Sequence, residues 1–503
     1  MINYSDEHEA YAASRGKEYV YVSNNINNEQ ALDDYIDGVE NTPLVVIGKR
    51  ESGKSSLLSN WLRKRSEGSP NDFYFAHFCG CSPQNFHLQR MLFRLETALK
   101  IFFNLQGHVP KTEEKLRWGL NRFLEAASKK ELNVKIIVII DGANLIRSED
   151  NPPGKLHWLP TKMPSCVRFI LSTVELDEST SNYDSSLSRD HRTYTELVKR
   201  RQCPMIRLDA LKLQTRIQII RSFSQREEKS DDQSTILTID QSLKIAKSRH
   251  ASQPFYLRLL LTAIHLGKEI SNESVDEQLD RYSNSNNIKH LLAQILHECA
   301  SYVEPGRNRG KSILYFILSV LHASRHGLKD DEIWGIVEFK YETVLNKEIK
   351  KRIRLILKNF SMKVKGCHIY SHNFIQDAIF DFYISKASTY IQLHHIMASF
   401  FASNMMLCDR KLSCLVWHLE VSGSWKRLKN ILVDVENFHL WWTQRNKDEF
   451  LDLWSSLTLS AQKNNCSNST LVTGIFYDKW MKCNQSPRPF YDPVEEYTKS
   501  IGK

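Results

Sequence analysis

The chain has 503 residues, 41% hydrophobic and 25% charged, with 19 Gly and 14 Pro; this is globular composition, room for about three domains of roughly 150 residues, and it excludes a collagenous or low-complexity chain. No apolar run approaches the roughly 20 residues of a bilayer-spanning helix, and the polar, acidic opening MINYSDEHEAYAASRG is not a secretory signal. The net charge of +10, from 68 Lys and Arg against 58 Asp and Glu, is diluted along the chain, and ten scattered Cys without C-x-x-C spacing fit a reducing, cytoplasmic setting.

The first 40 residues are polar and partly helical in pattern. PLVVIG (43–48) is a short β-branched run ending in Gly and reads as a buried strand. KSSLLSNWLRKR (54–65) follows as a helix with Leu57, Leu58, Trp61 and Leu62 on one side. FYFAHFC (73–79) is a second strand; 84–104 and 113–128 are amphipathic helices; KIIVIID (135–141) is the most hydrophobic run and reads as a central parallel strand. VRFILST (167–173) and PMIRLD (204–209) complete an alternation of strands and helices that predicts a parallel, helix-covered sheet. The Ser/Asp-rich segment 174–196 reads as a surface loop. Beyond residue 210 helical periodicity dominates, over 211–226, 240–267, 287–303, 311–324 and 329–339. GCHIY (366–370) reads as a short strand, and from 386 the pattern is helical, with Trp417, Trp425, Trp441, Trp442 and Trp454 along it.

The chemistry is concentrated in Gly48-Lys49-Arg50-Glu51-Ser52-Gly53-Lys54-Ser55, which matches G-x-x-x-x-G-K-[ST] at every fixed position, after a strand and at the start of a helix. Gly48 and Gly53 let the backbone wrap a phosphate with its amides, and the N-terminus of the next helix, with Ser56 in its first turn, adds partial positive charge under that anion. Lys54 is placed to reach the β- and γ-phosphates of ATP or ADP, and the Ser55 hydroxyl to ligate Mg²⁺. Asp141, ending KIIVIID, is the candidate second metal group. The strand next in sequence after the loop, FYFAHFC, ends without an acid, so a strand is interposed before the Asp. That arrangement predicts the additional-strand class of P-loop ATPases. Ser172 and Thr173 end the following strand, where a polar group can sense the γ-phosphate; Thr173 is taken as the site residue.

The order of P-loop, interposed strand, IIVIIDGANL and WLPTKMPSCVRFILST resembles the NACHT-type signal-transduction ATPases (STAND NTPases), in the branch of nephrocystin-3 and tetratricopeptide repeat protein 41, over roughly residues 8–460. Supporting segments are HEAYAASR (8–15), FAHFCGC (75–81), LKLQTRIQIIRSF (211–223), SQPFYLRLLL (252–261), HGLKDDEIW (326–334), YSHNFIQDAI (370–379) and LVWHLEVSGSWKRL (415–428). The resemblance implies an N-terminal lead-in (1–40), a NACHT-like P-loop NTPase domain (41–210), a small all-α helical domain (211–305), a winged-helix-like domain (306–385), a helical superstructure (386–485) and a flexible tail (486–503). It implies that Pro254 packs on adenine and that His372 touches a phosphate. Where relatives carry further acids after the first Asp, this chain has Asn144 and Leu145. An amide cannot take a proton from water, and loss of a positioned base costs about 10²–10⁴ in rate. Glu149 and Asp150 lie a few residues on. ATP binding with slow or absent hydrolysis is the expectation, in a chain that lacks the relatives' repeat array.

Three readings stay open. The first is a Mg-ATP-dependent switch or signalling scaffold with protein partners on the helical C-terminal region and nucleotide-dependent self-association. The second is a degenerate scaffold with no nucleotide cycle. The third is a basic nucleic-acid-associated ATPase, which rests only on net charge and on the amphipathic stretch 347–365, where no aromatic interleaving supports it. Cys79 and Cys81 have no second Cys/His pair nearby and read as buried thiols rather than a zinc site. The Asn465 and Asn468 glycosylation triplets read as chance.

Overall fold

The computed structural model describes residues 2–3, 6–17, 19–20, 23–81, 83–131, 133–148, 154–176, 185–227, 237–271, 273–305, 312–403, 408–443 and 446–463. Glu149, Asp150, residues 464–485 of the expected superstructure, the Asn465 and Asn468 triplets and the tail 486–503 lie outside the described residues. The chain forms two compact units. The first comprises Met1–Pro305, Arg354–Lys365 and Tyr370–Ile375; the second comprises Gly306–Ile353, Gly366–Ile369 and Gln376–Lys503.

In the first unit the elements run β1 (Ile2–Asn3), α1 (Asp6–Lys17), α2 (Ser23–Asp37), β2 (Leu44–Gly48), α3 (Lys54–Gly68), β3 (Phe73–Phe78), α4 (Leu88–Phe102), α5 (Glu113–Lys130), β4 (Ile136–Asp141), β5 (Val167–Val174), α6 (Ser185–Tyr194) and β6 (Met205–Leu208). The strands form one six-stranded sheet in the order β1-β3-β4-β5-β2-β6, with every pair parallel. β2, β3 and β4 are buried at every position, as their unbroken apolar runs require of strands covered on both faces. Period-two alternation divides the core. Val45 and Ile47 face a layer built by α4 and α5, while Leu44 and Val46 face α2 and α3. The predicted face of α3 is the buried one: Leu57, Leu58, Trp61 and Leu62 pack inward, and the Trp61 indole N–H donates to Asp33 at 3.0 Å.

The sheet places β5 between β2 and β4, so the phosphate-loop strand and the Asp141 strand are not neighbours. In chain order β3 is the strand interposed; in space it is β5. This is the additional-strand order, and it sets the end of β2, Asp141 and the end of β5 along one carboxyl edge, where open α/β sheets bind ligands.

The 174–196 segment is not simply a surface loop. Val174 ends β5, and residues 185–194 fold as α6 and run on through a wider turn at Thr195–Arg200. Asp190, Thr193 and Leu197 are buried. Polar residues make this inward face, so a count of apolar periodicity misses it. The 240–267 stretch of helical periodicity is two helices. Thr238 caps Ile239–Lys247 in a reciprocal box with Gln241. Pro254, which cannot continue a preceding helix, starts the next one at its first turn. The helices of this part are α7 (Leu213–Glu227), α8 (Ile239–Lys247), α9 (Pro254–Ile270), α10 (Val275–Ser283) and α11 (Ile288–Val303).

The second unit holds helices Ile313–Ala323, Asp330–Tyr341, Ala387–Ser403, Asp409–Val421, Trp425–Leu432, Val435–Trp441 and Lys447–Lys463, with a strand Leu328–Lys329 that pairs antiparallel with His368 and Cys367. Trp441 and Trp454 fill its core. Among the described residues no helix is long and apolar enough to cross a membrane.

Candidate nucleotide site

The turn between β2 and α3 is shaped by backbone that few residues accept. Glu51 sits at φ 59° and Gly53 at φ 95°, so the chain curls left-handedly twice before α3 begins. A Cβ on Gly48 would lie 2.7 Å from the Ser52 hydroxyl and 3.0 Å from the Leu208 carbonyl, which leaves glycine as the residue that fits. Lys54 folds over this turn. Its Nζ donates to the Gly48 carbonyl at 2.9 Å, the Lys49 carbonyl at 2.7 Å and the Ser52 hydroxyl at 3.4 Å. Desolvation pushes the amine down to about 8, against the opposing pull of Asp141 and Glu51. Ser56 follows in the first turn of α3, its carbonyl accepting from Asn60 at 2.8 Å.

The Ser55 hydroxyl donates to one oxygen of Asp141 at 2.6 Å, and the Ser172 hydroxyl donates to the other, also at 2.6 Å. Ser172 in turn accepts from the Gly142 amide at 2.8 Å. Asp141 is thus oriented from both sides and buried, at 4% exposure. Ser172 and Thr173 alternate across the strand, and it is Ser172 that reaches Asp141. Thr173 is fully buried, and its hydroxyl has no hydrogen-bond partner among the described residues.

Two further groups enter, Tyr11 and Asp190. Tyr11 of α1 is buried with its hydroxyl accepting from Arg15 at 3.1 Å, and burial raises its phenol above the usual range while Asp141 adds to the rise. Tyr11 lies in HEAYAASR, within α1. Asp190 of α6, 3% exposed, accepts from Arg50 at 2.9 Å. Its other oxygen accepts from the Asn144 amide at 2.7 Å. No spacing in the sequence ties 190 to 50 or 144, so only folding discloses this cluster.

Pro254 occupies the first position of α9. His372 stacks on the neighbouring Phe255, rings 3.9 Å apart and 22° from parallel, and its Nδ1 accepts from the Phe374 amide at 3.1 Å. Desolvation, then Arg15 and Arg258, holds its imidazole well below the usual histidine range, so it is neutral. Gly48 to Ser56 and Asp141 are therefore brought together; His372 packs on Phe255, the residue that follows Pro254.

A left-handed amide turn, a lysine crossing it, and a hydroxyl beside a carboxylate fit a polyphosphate with a divalent cation. With the sheet order this is a P-loop NTPase fold. No family model matches the chain. Curated relatives include a TPR repeat-containing protein of Dictyostelium discoideum, 21% identical over 488 residues, which covers 89% of this chain and 27% of that protein. Mouse nephrocystin-3 is 22% identical over 414 residues, 81% of this chain and 29% of the relative. NACHT and WD repeat domain-containing protein 2 of mouse is 26% identical over 166 residues, 31% of this chain and 9% of the relative. The chain thus spans less than a third of the length of each of these relatives. Among solved structures, domain III of the Thermotoga maritima replication initiation protein DnaA aligns over 52% of this chain and 92% of its own, at 16% identity and a TM-score of 0.30. The Aeropyrum pernix ORC1 protein, solved in complex with DNA, aligns over 72% and 93%, at 12% identity and a TM-score of 0.32.

Proposed function

We propose that the chain binds Mg-ATP at Gly48–Ser55 and hydrolyses it slowly, as a STAND/NACHT-type switch or signalling scaffold. The observation that carries this reading is the Ser55 hydroxyl held 2.6 Å from Asp141 beneath a turn whose Gly48 tolerates no Cβ. Ser55 and Asp141 would hold the Mg²⁺, which when bound neutralises charge between the β- and γ-phosphate oxygens. Lys54 exchanges its three loop acceptors for phosphate oxygens, and the amides of residues 49–55 line the anion. Pro254 and His372 are proposed for the adenine side and a phosphate respectively.

The helical region beyond residue 386 is the proposed surface for protein partners, residues 306–385 the proposed winged-helix-like domain, and nucleotide-dependent self-association the proposed output. Distant NACHT-named relatives support the nucleotide-binding part. A cytoplasmic setting is supported by the free state of every cysteine among the described residues.

Titration of Mg-ATP against wild type and Lys54→Ala tests the reading: binding is expected in the first and lost in the second, and equal affinity overturns it. A second reading, a scaffold without turnover, is favoured by Asn144 standing where an acid is expected. Steady-state phosphate release decides between the two, with turnover that disappears in Asp141→Asn supporting the slow ATPase.

A further inference from the structure

The carboxylate absent from position 144 reappears beside it in space. Asp190 lies on α6, 46 positions along the chain from Asn144, and the two side chains meet at 2.7 Å. The same carboxylate is paired at 2.9 Å with Arg50, a side chain of the phosphate loop itself. Its charge is also felt at Lys54, where it favours the protonated amine. At 3% exposure this is a buried acid paired with a side chain of the phosphate loop. Gly154, at φ 86°, packs against the Arg189 carbonyl where no Cβ fits, and the Thr193 hydroxyl donates to the Gly154 carbonyl at 3.1 Å. Leu156, Trp158 and Leu197 anchor both sides of that clamp in the core.

We propose that Asp190 is the general base of this site, replacing in space the acid that residue 144 lacks. The proposal rests on the nucleotide-binding reading above. In the nucleotide-free protein Arg50 at 2.9 Å, with Arg189 3.6 Å from the other oxygen, neutralises Asp190. A γ-phosphate offers Arg50 a bidentate acceptor of higher charge, so nucleotide entry draws the guanidinium from the carboxylate. Asp190 then accepts a hydrogen bond from water, and the Asn144 amide orients that water. As the water oxygen bonds to the γ-phosphorus, its proton passes to Asp190 and the bond from the γ-phosphorus to the bridging oxygen breaks, releasing ADP and phosphate. Base activation is thereby tied to occupancy, and the carboxylate stays paired until substrate arrives.

The test compares wild type, Asp190→Asn and the exchange variant Asp190→Asn/Asn144→Asp for Mg-ATP affinity, melting of the nucleotide-free protein and single-turnover phosphate release. The exchange variant keeps one amide and one carboxylate facing each other, so it preserves the buried contact if Asp190→Asn alone does not fold. Asp190→Asn removes the partner that nucleotide must displace from Arg50, so it is expected to bind Mg-ATP at least as tightly as wild type and yet to release phosphate about 10²-fold more slowly or worse. The exchange variant is expected to recover the rate. An undiminished rate in Asp190→Asn, a loss that merely follows affinity, or an exchange variant that binds ATP and stays inert overturns the proposal. A wild type that binds Mg-ATP without turnover sinks this assignment and spares the binding reading. A wild type that binds none removes the parent reading as well.

Discussion

At the scale of single residues, the site holds its charges by desolvation and by partners that a ligand must displace. Lys54 is the clearest case. Burial favours its neutral form and holds it down to about 8, whereas an exposed lysine keeps its proton up to about pH 10. A bound polyphosphate reverses the balance, because the anion stabilises the ammonium. Binding is therefore coupled to proton uptake once the free amine has begun to titrate. Affinity for Mg-ATP should be flat up to about pH 7 and fall as the pH rises through 8. A fluorescent-nucleotide titration between pH 6.5 and 9.5 reads this directly. Lys54→Arg keeps its charge throughout and should lose the dependence, even if it binds less well. A wild-type profile without a fall above pH 8 contradicts the buried-amine account. Ser172 makes a second residue-scale prediction. It bridges the Gly142 amide and Asp141, so Ser172→Ala strands a buried donor and leaves the acid held from one side. That should cost about 1–3 kcal/mol in chemical denaturation.

At the scale of elements, the pair α4 and α5 carries a defect that titrates. Glu96 is fully buried between them, and neither carboxyl oxygen has a hydrogen-bond partner among the described residues. A Cβ on Gly119 of α5 would stand 3.0 Å from one of those oxygens, so glycine is what lets the helices close around the acid. Burial pushes Glu96 up to about 8, with Arg122 opposing. Its folded value lies above its unfolded one, so its stabilising protonated state is complete below about pH 4.5 and is lost as the pH rises through 8. Glu96→Gln should accordingly raise the melting temperature at pH 8.5 and change it little at pH 5, while Gly119→Ala should lower it at both. Equal effects of Glu96→Gln at the two pH values would refute the buried-acid reading. The same helices show what sequence discloses. Their apolar stripes, the runs of β2 and β4 and the glycine-framed loop follow period and composition alone, and those features gave the sheet, its parallel sense and the anion turn. Glu96 and Asp190 were invisible for one reason: a charged residue reads as solvated until folding encloses it. The break of 240–267 at Pro254 is written in the sequence, since proline halts a preceding helix and is at home in the first turn of a new one.

At the scale of the whole molecule, the site is an assembly point for remote segments of the first unit. Residues 48–55, 141–144, 172 and 190 converge from four separate stretches of the chain. A ligand that touches all four binds the native unit and not the unfolded chain. At a concentration 100 times its dissociation constant it should stabilise the fold by about 2.7 kcal/mol. The gain falls on the strands that end at the site. Hydrogen exchange at β2, β4 and β5 and across 49–56 should slow with Mg-ATP and remain unchanged in Lys54→Ala. If Asp190 gives up Arg50 to the γ-phosphate, ATP and ADP must differ at α6, because only ATP offers Arg50 its new acceptor. Amides of 189–194 should then exchange at different rates in the two nucleotide states, while those of 49–56 are protected in both. Identical exchange at α6 with ATP and ADP would mean that the carboxylate and the loop arginine remain paired throughout, and that the nucleotide is held by a unit unable to read which phosphate it carries.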